Sequence, residues 1–171
     1  MSILKLSKSI LDVLYYIGIS GVLLILVFFI LYNLDYNIED YIINLPEYNN
    51  LSAIQLVYFV TPFSIIALVL YVLIIRNFRK IIVLFYNEVF FGLETSEYLN
   101  QIGIYLIVSM FLWKVPPFVA SLFSNPSVVR FSLPIGFDSS IFLIAIGLFF
   151  IALSEIFKKA LKIKQENDLT I

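Results

Sequence analysis

The sequence predicts an all-α integral membrane protein, a bundle of four transmembrane helices with both termini in the cytoplasm. Of its 171 residues, 61% are hydrophobic and 13% are charged, whereas an average soluble domain has about 45–50% apolar and about 25% charged residues. The apolar residues fall in four long runs, and the basic residues gather in alternate segments between them. A soluble core cannot absorb this excess, so we expect the runs to be buried in lipid.

Residues 11–32 form the first predicted span and follow Lys5 and Lys8. The run is long enough to cross a hydrocarbon core of about 30 Å. It is too long for the apolar part of a signal peptide, and no small-x-small cleavage site follows it. We therefore expect a retained first span rather than a removed leader. Residues 33–50, which carry four carboxylates and no Lys or Arg, are predicted to form the outer loop.

Residues 54–75 form the second predicted span, and the basic residues Arg76, Arg79 and Lys80 follow it directly. Beyond the span, apolar residues continue at i, i+3, i+4 and i+7 spacing: Phe78, Ile81, Ile82, Phe85 and Val89. This spacing predicts an amphipathic cytoplasmic helix that lies along the inner membrane surface between the second and third spans.

Residues 102–123 form the third predicted span, which holds a charged residue deep in its sequence, Lys114. Pro116 and Pro117 follow closely and are expected to bend or unwind the helix. An ionisable side chain beside broken helix is typical of a functional site in a membrane protein. The alternative is that Lys114 extends to the outer headgroups. We also expect Lys114 to pair with Asp138, at the start of the fourth span, near the outer surface.

Residues 138–157 form the fourth predicted span, and residues 158–171 a cytoplasmic tail. Ser140, Gly147 and Ser154 recur at heptad spacing along this span. Small side chains on one face of a helix allow a second helix to approach closely. We therefore expect this face to pack against another span.

The distribution of basic residues predicts the orientation. Nine lie in segments that the four spans place on one side of the membrane: Lys5, Lys8, Arg76, Arg79, Lys80, Lys158, Lys159, Lys162 and Lys164. Arg130 is alone on the other side. Cytoplasmic loops carry the excess of Lys and Arg, so both termini are predicted to be cytoplasmic.

The residue types that are missing exclude several activities. The chain has no Cys and no His, which excludes thiol exchange, bis-imidazole haem and His-dependent catalysis. The carboxylates of the outer loop match no EF-hand spacing. Glu155, at the inner end of the fourth span, is expected to pair with Lys158 and Lys159. We predict no enzyme activity, no cofactor and no metal, and the formal charge of −1 argues against direct nucleic-acid contact.

Positions that match a known family are concentrated in the last fifth of the chain: 146–148, 154–158, Glu166, Asp168, Leu169, Thr170 and Ile171. They resemble those of small bacterial four-span membrane proteins known as domain of unknown function 2975. That family has no assigned activity, and its members often occur beside a small helix-turn-helix regulator. The resemblance implies a component of the bacterial inner membrane that binds or signals to a cytoplasmic DNA-binding protein. Leu169 and Ile171 also put apolar side chains at the end of a polar tail, which suits capture by a partner, so the five matching residues from 166 to 171 are the expected contact.

The sequence leaves two functions open for what is predicted to be a single domain, residues 1–171. The first is a regulatory or interaction protein whose cytoplasmic face, residues 76–97 and 158–171, binds a soluble partner. The second is a small transporter or channel that uses Lys114 and the proline pair. A transporter is expected to bring several polar groups to the bilayer midplane, whereas Lys114 and Glu155 lie at different depths. The first function is therefore favoured, and the sequence leaves open whether the chain forms a homo-oligomer.

Overall fold

The computed structural model describes residues 2–34, 58, 60–88, 92–124 and 140–168. In this part of the chain the regular structure is helical, with no strand. The four helices are α1 (Ser2–Asn33), α2 (Thr61–Tyr86), α3 (Leu93–Ser124) and α4 (Ser140–Asp168). The predicted all-α class is confirmed.

Three of these helices contain a segment that is long and apolar enough to cross a membrane. The segments are Ile3–Asn33, Leu93–Pro116 and Ser140–Asn167. They correspond to the first, third and fourth predicted spans. The second predicted span, residues 54–75, begins ahead of α2 in residues outside the described part, and it stays a prediction.

Neighbouring helices run antiparallel, because residue numbers rise on one helix as they fall on the next. For α1 and α2, Asp12 contacts Arg79 and Gly18 contacts Val72. For α2 and α3, Asn77 contacts Gln101 and Lys80 contacts Tyr98. For α3 and α4, Ser96 contacts Ser154 and Gly103 contacts Gly147. The start of α1, the end of α2, the start of α3 and the end of α4 therefore share one end of the molecule.

We call this end the basic end, because nearly all of the Lys and Arg residues that the structure describes lie there. They are Lys5, Lys8, Arg76, Arg79, Lys80, Lys158, Lys159, Lys162 and Lys164. Lys114, on the second half of α3, lies towards the other end. The grouping of basic residues that the sequence predicts is thus present in the fold.

The buried core is built from α2, α3 and α4. Ile74 and Ile81 of α2 lie against Leu99 and Ile102 of α3. Side chains of α4 pack on this cluster, among them Phe150, Leu153 and Phe157. None of residues 3–33 of α1 is fully buried, and the main contact of this helix is with α2. The described helices therefore form a three-helix core with α1 packed beside it, and a closed four-helix bundle is not confirmed.

The predicted amphipathic helix is not a separate element within residues 60–88. The α2 helix continues through this segment to Tyr86, and Phe78, Ile81 and Phe85 belong to the core with α3 and α4. A stripe at 3.6-residue period can face either a membrane surface or a neighbouring helix, and here it faces helices. The chain leaves the helix at Glu88, which has a left-handed φ of 62°.

The α3 helix differs from the predicted third span in where it begins and in its continuity at the proline pair. It begins at Leu93, nine residues ahead of residue 102, and runs through Pro116 and Pro117 to Ser124. The predicted unwinding at the proline pair is therefore wrong, and a bend there, its alternative, stays a prediction. Each proline removes one backbone donor, and the remaining hydrogen bonds keep the helix continuous, as is common for prolines in transmembrane helices.

Candidate functional site

A layer of paired polar side chains joins α1, α2 and α3 at the basic end. Arg79 Nε lies 2.6 Å from Asp12 Oδ1, and the two side chains are 27% and 33% exposed. Next to this pair along α2, Asn77 is almost completely buried, and its Nδ2 donates a hydrogen bond of 3.0 Å to Gln101 Oε1. Poorly hydrated polar groups are costly unless they are paired, so these contacts fix the relative positions of the three helices.

The seam between α3 and α4 is made of small residues. Ser96 Oγ lies 2.9 Å from both the carbonyl oxygen and Oγ of Ser154, and both side chains are fully buried. Seven positions from these serines on each helix, Gly103 and Gly147 allow close approach of the two backbones. A Cβ atom added to Gly103 would lie only 2.5 Å from the carbonyl oxygen of Gly147. The close packing predicted for Gly147 and Ser154 is confirmed.

An open groove of about 480 Å³ lies between α1, α2 and α3 at the basic end. Its wall holds four cationic side chains and two tyrosines: Lys8, Arg76, Arg79, Lys80, Tyr15 and Tyr98. We call it the basic groove. The Arg79 guanidinium lies 4.6 Å from the centre of the Tyr15 ring, and Lys80 Nζ lies 4.7 Å from the centre of the Tyr98 ring. Both cations are within the range of a cation–π interaction.

Lys114 lies far from the basic groove and is exposed on α3. It is 16 residues beyond Tyr98 of the basic groove, or about 24 Å along the helix, which is most of the hydrocarbon thickness of about 30 Å. This depth favours the alternative in which Lys114 reaches the headgroups at the far end. Asp138 lies outside the described residues, so its pairing with Lys114 stays a prediction.

Glu155 and Glu166 lie on the last part of α4. Lys158 Nζ donates a hydrogen bond of 2.7 Å to Glu155 Oε1 on the exposed surface, which is one of the two predicted pairs. The helix continues past the predicted end of the span to Asp168, and Glu166 lies 3.8 Å from Lys162. The first part of the predicted tail is therefore helical. Leu169, Thr170 and Ile171 lie outside the described residues.

Sequence reasoning missed Asp12, Tyr15 and Tyr98, which contact cations of the basic end. Asp12 carried a usable signal, because it is the one acidic residue in Ser2–Asn33. A lone carboxylate in an apolar helix calls for a partner. The sequence alone does not say which residue this is, because the pairing depends on the register between α1 and α2. The α3 half of the small-residue seam, Ser96 and Gly103, was also missed despite its seven-residue spacing.

Antiparallel apolar helices with candidate spans, and with basic residues at one end, define the class as a helical membrane protein. The family model described as Protein of unknown function (DUF2975) matches residues 41–171, which is 131 of the 171 residues. The chain belongs to this family, as the resemblance of its last fifth implies. Comparisons with curated proteins and with solved structures gave no match.

Proposed function

We propose that the protein is a four-span protein of the bacterial inner membrane with both termini in the cytoplasm. We further propose that it is a regulatory or interaction component whose basic end binds a soluble cytoplasmic partner. The concentration of Lys and Arg at that end supports the orientation through the positive-inside rule. Residues 41–171 match a family without an assigned activity, so the function has to be argued from the surface that the fold presents.

The path of the chain supports α2 as the second span, the one that is missing from the three candidate segments. The α1 helix finishes at the far end and α3 starts at the basic end, so α2 returns antiparallel between them. Residues 61–75 of α2 contain no charged side chain. Because this run is helical, its backbone hydrogen bonds are satisfied internally, as the hydrocarbon core requires. Its packing alongside two candidate spans is consistent with the same environment.

The helical extension of α4 carries the proposal of partner binding. From residue 158 to residue 168 the helix continues about 16 Å beyond the predicted span, and its lysines are exposed. On this extension Ile163 is 58% exposed among the exposed lysines. Ile156, which belongs to the end of the predicted span, lies seven residues earlier on a similar face of the helix. An exposed apolar side chain with charged neighbours on a helix fits recognition in the groove of a partner protein.

The transporter or channel alternative has less support. It depended on a helix break beside Lys114, and α3 is continuous there. The polar side chains that the structure describes inside the helices are largely paired with each other, as Asn77 is with Gln101 and Ser96 with Ser154. Transport sites at midplane usually combine broken helices with several convergent polar groups.

The experiment is affinity capture from native membranes with the intact chain and a chain that ends at Gln165. The family resemblance makes a helix-turn-helix regulator the expected partner, and Glu166, Asp168, Leu169, Thr170 and Ile171 its expected contacts. Removing residues 166–171 should abolish capture of the regulator, while membrane level and thermal stability stay unchanged, because the core that the structure describes on α4 ends at Phe157.

Two controls sharpen this experiment. Replacing residues 166–171 with six Gly and Ser residues restores the length but not the side chains, and it should also abolish capture. Lys114→Gln, at the far end, should leave capture unchanged. Equal capture by the intact and truncated chains would refute the assignment of the tail.

A further inference from the structure

We propose that the basic groove binds the phosphate of an anionic phospholipid headgroup, of the phosphatidylglycerol class. The site is assembled from three helices: α1 supplies Lys8 and Tyr15, α2 supplies the three cations from Arg76 to Lys80, and α3 supplies Tyr98. This inference rests on the proposed placement in a membrane. It does not depend on a cytoplasmic partner.

The charge of the groove matches an anion. Four cationic side chains line it together with the carboxylate of Glu94, and Asp12 pairs with one of the four, Arg79, so the cations still outnumber the carboxylates. Lys and Arg side chains only donate hydrogen bonds, and a phosphate oxygen accepts them, so the two sets of groups are complementary. Basic pockets between transmembrane helices on the cytoplasmic side are a recurring form of lipid-headgroup site.

Two of the cations are already held in place. Arg79 contacts Asp12 through Nε and lies over the Tyr15 ring. Lys80 lies over the Tyr98 ring. Because these contacts restrict both long side chains before a ligand arrives, less conformational freedom is lost on binding. This arrangement distinguishes the groove from a surface that merely carries lysines.

The position of the groove favours a lipid over a soluble phosphate. Arg76 directly follows the uncharged residues 61–75 of α2, and Lys8 lies three residues ahead of the start of the predicted span 11–32. The groove is therefore at the level where spans end and headgroups begin. Val83 and Leu84 complete its wall on the side of Arg76 and Lys80 that faces away from the hydrocarbon. The volume of about 480 Å³ is within the usual range for small-molecule sites.

The test measures lipid retention by native mass spectrometry on the full chain in a non-ionic detergent. Dioleoyl phosphatidylglycerol is compared with dioleoyl phosphatidylcholine, whose choline group cancels the phosphate charge. Arg76→Gln with Lys80→Gln removes two cations and leaves the contact between Asp12 and Arg79 intact. We expect this double variant to bind phosphatidylglycerol roughly 30-fold more weakly, since each basic residue contributes roughly fivefold near an anionic surface.

The matched control is Lys159→Gln with Lys164→Gln on α4. It removes the same charge from the same end of the molecule, outside the groove, and should change retention by less than about twofold. Arg76→Gln alone is the second test variant, because Arg76 is exposed and its loss does not endanger folding. It should weaken binding roughly fivefold.

Three results would overturn the proposal. One is unchanged retention of phosphatidylglycerol by both groove variants. Another is an equal loss in the groove and control variants, which would mean that retention follows net charge alone. The third is binding of inorganic phosphate as tight as that of the lipid, which would assign the groove to a soluble anion. Because the measurement is made in detergent, it stands apart from the test of membrane orientation.

Discussion

Asp12 is the residue that most clearly ties α1 to the rest of the protein. None of residues 3–33 of α1 is fully buried, so α1 is attached to α2 by partly buried contacts. One is the packing of Gly18 against Val72, and another is the 2.6 Å ion pair between Asp12 and Arg79. An apolar helix in lipid gains little from hydrophobic burial against a second apolar helix. A polar pair at the end of the span therefore contributes a larger share of the stability of helix packing than it would in a soluble protein.

We expect Asp12→Asn to lower the free energy of unfolding by about 1–2 kcal/mol, because it leaves Arg79 without its carboxylate in a partly buried position. The measurement is thermal unfolding of the purified protein in detergent. Glu155→Gln is the control, since it removes another close ion pair, with Lys158, on the exposed surface. It should have the smaller effect. Equal effects of the two substitutions would show that the Asp12 pair does not hold α1.

Among the helices, α3 and α4 show how sequence spacing becomes a packing seam. Ser96 on α3 lies against Ser154 on α4, and Gly103 lies against Gly147. On each helix the serine and the glycine are seven positions apart. The heptad spacing keeps these residues on one face, and antiparallel direction brings each serine to a serine and each glycine to a glycine. The close approach at the glycines therefore follows from spacing and direction together.

Gly103→Ala should destabilise the protein by about 1–3 kcal/mol, the usual cost of overpacking. Its Cβ would meet the Gly147 carbonyl oxygen at 2.5 Å, and backbone cannot move aside without shifting the helix. Gly21→Ala on α1 is the control, because nothing lies within 4 Å of its Cβ, and alanine favours helix by up to about 1 kcal/mol over glycine. Thermal unfolding in detergent compares the two. A Gly103→Ala variant as stable as the natural chain would contradict the seam.

The helices also show where sequence reasoning ends. Hydropathy placed the start of the third span at residue 102, because the segment before it looks polar. In the structure Ser96 and Gln101 are paired across helix contacts, so their polarity does not mark a surface loop. The stripe of Phe78, Ile81 and Phe85 was correctly recognised as one helix face, but spacing alone could not tell a membrane surface from a neighbouring helix.

The site was predictable only in part, for the same reason. The basic residues at the ends of the spans were visible in the sequence, and the structure places them together. That Arg79 meets Asp12 and Tyr15, or that Lys80 meets Tyr98, depends on helix register. Register is a property of the packed helices, and local sequence spacing does not determine it.

At the scale of the whole molecule, antiparallel packing and charge distribution together predict one orientation in the membrane. Three candidate spans and the intervening α2 bring nine basic residues to the same end. A membrane protein with this distribution is expected to place that end in the cytoplasm. The helical extension of α4 and the basic groove then lie on the same side of the membrane, so both proposals depend on this orientation in the cell.

The most direct measurement is labelling of single cysteines in intact cells with an impermeant thiol reagent. The chain has no cysteine, so a cysteine at Ser7, Asn44, Asn87, Ser127 or Asn167 reports alone. Four spans with both termini inside predict labelling at positions 44 and 127 only, with all five positions labelled after the cells are opened. Labelling at position 7, 87 or 167 in intact cells would contradict the account.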